Sequence, residues 1–504
     1  MLSKAQVKIT TYRHPQPGWV ENDADDFWRT LCSACQKLWA NTPIARDAVR
    51  AVVVTTQRAT MINLDALGQP LRPAIVWMDQ RRSSPTKRLA WWWEAAFRAI
   101  GMRETVDFFQ REAEANWIAQ HQPDLWARTD KYLMLSGYLN YRMCGRIVDA
   151  VGAQVGYVPF DYKRGRWAAA HDWKWQCLAV RREMLPELVP SGSRIGEVST
   201  AASIDTGTPA GVPLIAGAAD KACEVIGAGC LSPEVACLSY GTAATINTTT
   251  PRYVEAVRFI PPYPAALPGH YSTEIQITRG YWMVSWFAQE FGLHERQLAL
   301  AQGVSPESFF DELVNAVPPG SLGLMLQPFW SPGVKIPGPE AKGAVIGFGD
   351  AHTRAHLYRA ILEGLAYALR EGKERIEQRS GMRIERVRVA GGGSQSDAAM
   401  QITADVFNLP TERASLYETS GLGAAMLGAV GIGWHADMAS AAREMTRVGR
   451  CFEPDARHAR TYDELYTRVY KGMYKRLAPL YREIRNIVDC PSALESQSSS
   501  RPPS

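Results

Sequence analysis

Three apolar stretches of this chain run straight into glycine. They are "PLIAGAADKACEVIGAG" from Pro213, "ACLSYGTAATINTTT" from Ala236 and "VRVAGGGSQSDAAMQITADVF" from Val387. Glycine at a strand end allows backbone that a side chain would obstruct, and it lets N–H groups approach a guest closely. Where a helix follows, its first N–H groups add the positive end of the dipole, so the turn suits an anion such as phosphate. Strand, glycine turn and helix repeated along one chain define an α/β protein whose ligands bind at strand ends.

The rest of the chain keeps that alternation. "QVKITTY" (6–12) alternates as a strand does. Asp23 and Asp26 then resemble a capping box ahead of Phe27, Leu31, Cys35 and Leu38 at helical spacing. "RAVVVTT" (50–56) predicts a buried strand, and "TMINLDALGQPLRPAIVWMD" two strands about a glycine-containing turn. A second series opens near Ala236 and passes through a long helix, "TRAHLYRAILEGLAYALREGKERIEQ". After the third glycine turn, helical segments are expected to about residue 487, and a Ser/Pro-rich tail is expected to be disordered. At 504 residues this is more than one ordinary core, so two lobes are expected.

A net charge of +5 with scattered Lys and Arg gives no stripe for nucleic acid or an anionic membrane. "MLSKAQVKIT" lacks the apolar run of a signal peptide, and no segment is long and apolar enough to span a bilayer, so a cytoplasmic protein is expected. Nine cysteines of irregular spacing fit reduced thiols, and Cys32 and Cys35 read as helix packing. There is no GxxxxGK[ST], no complete GxGxxG opening a βαβ unit and no HExxH, so P-loop, dinucleotide and zinc readings lack support.

Asp220 is the one carboxylate in its glycine- and alanine-rich turn. A helix start welcomes Asp as a cap. The small neighbours Gly217, Ala218 and Ala219 also leave room for a guest, and a carboxylate meeting a hydroxyl there can take its proton as the oxygen attacks phosphorus. Gln57 and Arg58 close one strand, and Trp77, Asp79 and Arg81 follow another. Paired donors and acceptors beside an aromatic face suit a polyhydroxy compound, while an Asp79–Arg81 ion pair is the structural alternative.

These segments, in order with "PGWVENDADDFW", "LWARTDKYLMLSGYLNYRMCG", "KGAVIGFGDAHTRAHLYRAILEGLAYALREG" and "ETSGLGAAMLGAVGIG", resemble the FGGY family of carbohydrate kinases from about Tyr12 to about Arg485. The resemblance implies two actin-like (ribonuclease H-like) α/β lobes around a cleft. A sugar-binding lobe would span residues 1–230, a nucleotide-binding lobe 231–487, and a disordered tail 488–504. It further implies ATP and Mg2+ as cofactors and phosphorylation of a small sugar or polyol, with Asp220 as catalytic base. Gln57, Arg58, Trp77 and Asp79 would lie near the sugar, Gly241 and Thr242 at the phosphates, and Gly392, Gly393 and Ser396 at the nucleotide. Arg58 matches a substrate-binding arginine of glycerol kinases, but the glutamate that follows it there is Ala59 here, which favours a pentulose or pentitol over glycerol.

Two positions depart from the family. Glu114 stands where many members carry Lys. Members also begin with a strand and turn of the form GxDxGTxxxR, whereas Met1 here falls just before what matches their third strand, leaving out about 25 residues at ordinary strand and hairpin lengths. A longer native chain is one explanation, favoured by the retained Asp220, Thr242 and glycine loop. The alternative is a catalytically impaired paralogue that binds sugar or nucleotide as a regulatory protein, and an actin-like ATPase acting on a protein partner is a third reading. Oligomeric state is open, a homodimer among the options.

Overall fold

The computed structural model describes residues 1–85, 89–302, 306–333 and 337–488. The expected tail of 488–504 therefore lies outside the described residues apart from Val488. In the first lobe, strands β1 (Glu21–Asn22), β2 (Val52–Val53), β3 (Met61–Leu64), β4 (Ala74–Ile75) and β5 (Lys131–Met134) precede β6 (Arg194–Glu197) and β7 (Pro213–Ile215). They make two separate sheets, in the orders β1-β4-β3-β5 and β6-β7-β2. Helix α1 (Ala24–Ala40) is capped by Asp23, whose carboxylate accepts from Asp25 N at 3.1 Å. Asp26 closes no capping box, because its carboxylate takes Asn22 and Thr10 instead. The helix buries Phe27, Trp28 and Cys32 against a core with Ile62, Leu133, Tyr138 and Leu214.

Residues 6–12 form no strand. Their side chains alternate in exposure, and Ile9 and Tyr12 rest on that core, but among the described residues no chain runs alongside to pair their backbone. The expected strand at 50–56 is likewise reduced to the half-buried Val52–Val53. It pairs in parallel with β7 and forms the edge of its three-stranded sheet.

Helix α2 (Asp220–Gly227) leads into the second lobe. Its strands are β8 (Val235–Tyr240), β9 (Ala244–Thr250), β10 (Tyr263–Pro264), β11 (Tyr271–Ile277), β12 (Arg386–Ala390), β13 (Thr411–Ala414) and β14 (Val448–Phe452). They form one seven-stranded sheet, ordered β10-β11-β9-β8-β12-β13-β14. β13 and β14 correct the expectation of helices alone after the third glycine turn. The exposed residues of β14, Val448 to Cys451, lack the apolar alternation that marks a strand. Helix α3 (Arg354–Ser380), the predicted long helix, buries Ile361, Leu365 and Leu369 with Leu238, Ile246, Val387 and Met400.

Helices α4 (Asp397–Phe407) and α5 (Thr419–Gly431) complete the frame of the cleft. α5 crosses α2 through glycine: a Cβ on Gly423 would stand 1.9 Å from Cys223 O, and one on Gly227 1.9 Å from Thr419 O. Ala222, Cys223 and Ile226 of α2 share a small core with Ala424, Met426 and Leu427 of α5.

Candidate active site

Asp220 stands where the two lobes meet. Its backbone is pinned from three sides: Asp220 N donates to Thr56 O at 2.9 Å, Ala219 N to Gly152 O at 3.0 Å, and Thr55 Oγ1 to Ala218 O at 2.8 Å. The approach is so close that a Cβ on Gly217 would lie 2.0 Å from Val54 O. Asp220 is the first residue of α2, and the cap position belongs to Ala219. Its half-buried carboxylate therefore does not serve as the cap, and among the described residues it accepts one hydrogen bond, from Lys221 N at 2.7 Å. Ser420 Oγ of α5 donates to the carbonyl of the same residue at 3.1 Å.

Arg58 lies two residues beyond Thr56, within electrostatic reach of Asp220. It is gripped by a residue that no local signal in the sequence had marked. Glu274 on β11 takes Arg58 Nη1 at 3.0 Å and Nη2 at 2.7 Å, and the guanidinium lies 4.9 Å from the Tyr263 ring centre. Burial works against the Arg58 charge, but Glu274 more than compensates and raises its pKa. Asn247 faces Glu274 across the β9–β11 ladder; its Nδ2 donates to Thr245 Oγ1 at 2.8 Å, and its buried Oδ1 has no partner. A buried amide oxygen ordinarily has a hydrogen-bond partner.

The other expected sugar residues are placed less uniformly. Gln57 Nε2 donates to Thr60 Oγ1 at 2.8 Å, and its Oε1 accepts from Tyr12 at 3.4 Å. Trp77 is 42% exposed. Asp79 is spent on structure: its carboxylate takes Val20 N at 2.6 Å and Arg81 Nε and Nη2 at 2.8 and 2.7 Å. Arg81 is itself buried between Trp19 and Trp117, so the Asp79–Arg81 pair fixes the loop that carries Trp77.

On the second lobe, Gly241 and Thr242 turn β8 into β9, with Thr242 exposed. Thr242 O accepts from Trp282 N at 3.2 Å, which brings in Arg279, a residue absent from the sequence expectations. Its guanidinium lies 5.1 Å from the Trp282 ring centre, and burial lowers its pKa with no carboxylate among the described residues to oppose the effect. The third turn packs onto the stacked rings of Tyr240 and Tyr281, 4.2 Å apart. Gly391 has φ +84° and lies against the Tyr240 backbone; a Cβ on Gly393 would fall 2.4 Å from the Tyr281 ring, whereas Gly392 faces open space. Ser396 caps α4, accepting from Ala399 N at 3.0 Å, and its hydroxyl donates to Asp311. Among the described residues no cluster of three His, Cys, Asp or Glu could cage a metal, and no helix is long and apolar enough to cross a membrane.

The two-lobed fold is that of an actin-like carbohydrate kinase. The chain belongs to the FGGY family of carbohydrate kinases: the family's N-terminal domain matches residues 1–227 and its C-terminal domain residues 236–432. It is 30% identical over 465 residues to the uncharacterized sugar kinase YgcE of Escherichia coli (strain K12), a match covering 92% of this chain and 86% of that one. A xylulose kinase of Staphylococcus epidermidis is 25% identical over 480 residues, 94% of this chain and 92% of its own. The crystal structure of a gluconate kinase from Lactobacillus acidophilus shares the fold with a TM-score of 0.78 at 19% identity, covering 94% of this chain and 93% of that one.

Proposed function

We propose that this carbohydrate kinase transfers the γ-phosphoryl group of ATP to a hydroxyl of a pentulose or pentitol, with Asp220 as general base. The observation that carries the reading is the Asp220 carboxylate itself, rigidly anchored through backbone yet left with a single N–H partner. A base so held can meet an acceptor hydroxyl and take its proton as the oxygen attacks phosphorus, and positioning supplies most of the catalysis in such transfers. Arg58, with Gln57 and Trp77, would orient the acceptor from the first lobe. Asp79 would contribute through the loop it anchors.

The Gly241–Thr242 turn would receive the phosphates, with Arg279 beside it as a cation that has no acidic partner among the described residues. Gly392, Gly393 and Ser396 would border the nucleotide. One carboxylate without a cage fits Mg2+ carried on nucleotide phosphates and water better than a dedicated all-protein site. A pentulose or pentitol is preferred to glycerol because Ala59 follows Arg58 where glycerol kinases carry glutamate.

Asp220→Asn preserves the shape of the side chain and removes its capacity to hold the proton. Acceptor-dependent ADP release should fall to background while the melting temperature stays near that of the unaltered protein. Undiminished turnover in this variant would refute the base assignment.

A further inference from the structure

We propose that Glu274, contributed by the second lobe, determines acceptor specificity by occupying Arg58, so that the site selects uncharged sugars and excludes sugar acids. This inference rests on the acceptor site proposed above. The guanidinium carries five N–H donors, of which one on each terminal nitrogen is committed to Glu274, at 3.0 and 2.7 Å. The Arg58 and Glu274 side chains are 17% and 4% exposed, so little solvent screens the pair.

A free guanidinium at this place would be a natural carboxylate receptor, through bidentate N–H···O bonds. With Glu274 seated on it, an incoming carboxylate meets a second carboxylate in a poorly screened cleft, and that repulsion acts against binding. A neutral polyol meets no such opposition. Its hydroxyls can accept from the remaining Arg58 N–H groups and donate to the remaining lone pairs of Glu274. Asn247 Oδ1, on the residue facing Glu274 across the ladder, is a further buried oxygen with no partner among the described residues, and its partial negative charge adds to the field that opposes an anion.

The arrangement also answers the departure at Ala59. The carboxylate that does not follow Arg58 in the chain reaches it from across the cleft, 216 residues away. Because the two partners belong to different lobes, the acceptor site is complete only when both are in place.

The test compares the full-length protein with Glu274→Gln and with the double variant Arg58→Gln/Glu274→Gln, using D-xylulose, xylitol and D-gluconate. Acceptor-dependent ADP release gives kcat/KM, and the melting shift produced by each compound without ATP gives binding independently of turnover. The unaltered protein should respond to D-xylulose or xylitol and not to D-gluconate. In Glu274→Gln the preference for D-gluconate over the neutral compound should rise by about tenfold or more, as expected when one like charge leaves a buried ligand site. The double variant, with both charges gone, should lose that gain, and it covers the case in which Glu274→Gln fails to fold with Arg58 unpaired. D-gluconate preferred by the unaltered protein, or an unchanged preference in Glu274→Gln, overturns the proposal, as does a failure of every compound to bind. Preferences that shift in melting while no acceptor releases ADP would support the role of Glu274 and overturn phosphoryl transfer instead.

Discussion

At the scale of single residues, the cleft is built from charges that are either fully committed or left conspicuously alone. Asp79, Arg81, Glu21 and Arg72 pair with one another in the buried frame of the first lobe, whereas among the described residues Asp220 keeps a carboxylate with one N–H partner and Arg279 a cation with no acid. An unmatched, partly desolvated cation costs stability, so Arg279 is held at a price that a phosphate would remove. Arg279→Met should therefore raise the KM for ATP or lower kcat, together about 10- to 1000-fold in kcat/KM, the range for loss of one electrostatic donor. Its melting temperature without nucleotide should equal or exceed that of the unaltered protein; steady-state kinetics with a melting curve reads both. Asp220 and the glycine turns were legible in the sequence because a strand end, a small residue and a helix start are local events. Glu274 and Asp311 were not, since their partners Arg58 and Ser396 lie 216 and 85 residues away and only strand pairing and helix packing bring them together.

At the scale of elements, the placement of Asp220 depends on how closely two helices can approach. α2 carries Asp220 at its first position, and α5 lies against it at a distance that admits only hydrogen at Gly227 and Gly423. A methyl group at residue 423 would overlap Cys223 O, 1.9 Å away, and a backbone carbonyl cannot rotate aside as a side-chain tip can. Gly423→Ala should thus push α2 from its seat, destabilising the protein by about 1–3 kcal/mol and lowering kcat by about 100-fold as the base is displaced. Gly421, on the same helix, faces open space, and Gly421→Ala should be neutral or slightly stabilising because alanine is the better helix former. Denaturant melts and kcat for the pair separate a steric effect at the crossing from a general effect of alanine in α5. The helices themselves were readable from apolar spacing and caps. Strands β8, β9 and β12 were readable from their apolar runs; β13, short and polar although paired on both edges, and the exposed β14 were not, and at β2 and residues 6–12 an apolar run lacks a full ladder.

At the scale of the whole molecule, the stability of the fold carries a pH dependence set by carboxyls that the first lobe has buried. Glu114 is the clearest: burial, with the charges of Asp79 and Glu112 adding to it and a hydrogen bond from its own backbone N–H and the charge of Arg81 only partly opposing, pushes its pKa from 4.5 up to about 8. Asp149, enclosed by Ser136, Gln154 and the Ala150 N–H, is pushed up to about 6, again by burial above all. Between pH 4.5 and 8 the unfolded chain releases the Glu114 proton while the folded protein retains it. The folded state then binds more protons than the unfolded, and linkage makes stability fall as pH rises through that window. The stabilising contribution is complete below pH 4.5 and lost above about 8. Glu114→Gln removes the titration and keeps the volume. Relative to the unaltered protein, it should gain little at pH 4.5 and progressively more toward pH 8, with a difference slope approaching about 1.4 kcal/mol per pH unit at its steepest. Urea melts of both proteins across that range measure the difference directly, in which every other titrating group cancels. A gap that stays constant with pH would mean that Glu114 is ionised in the folded protein, with Arg81 as its counter-ion.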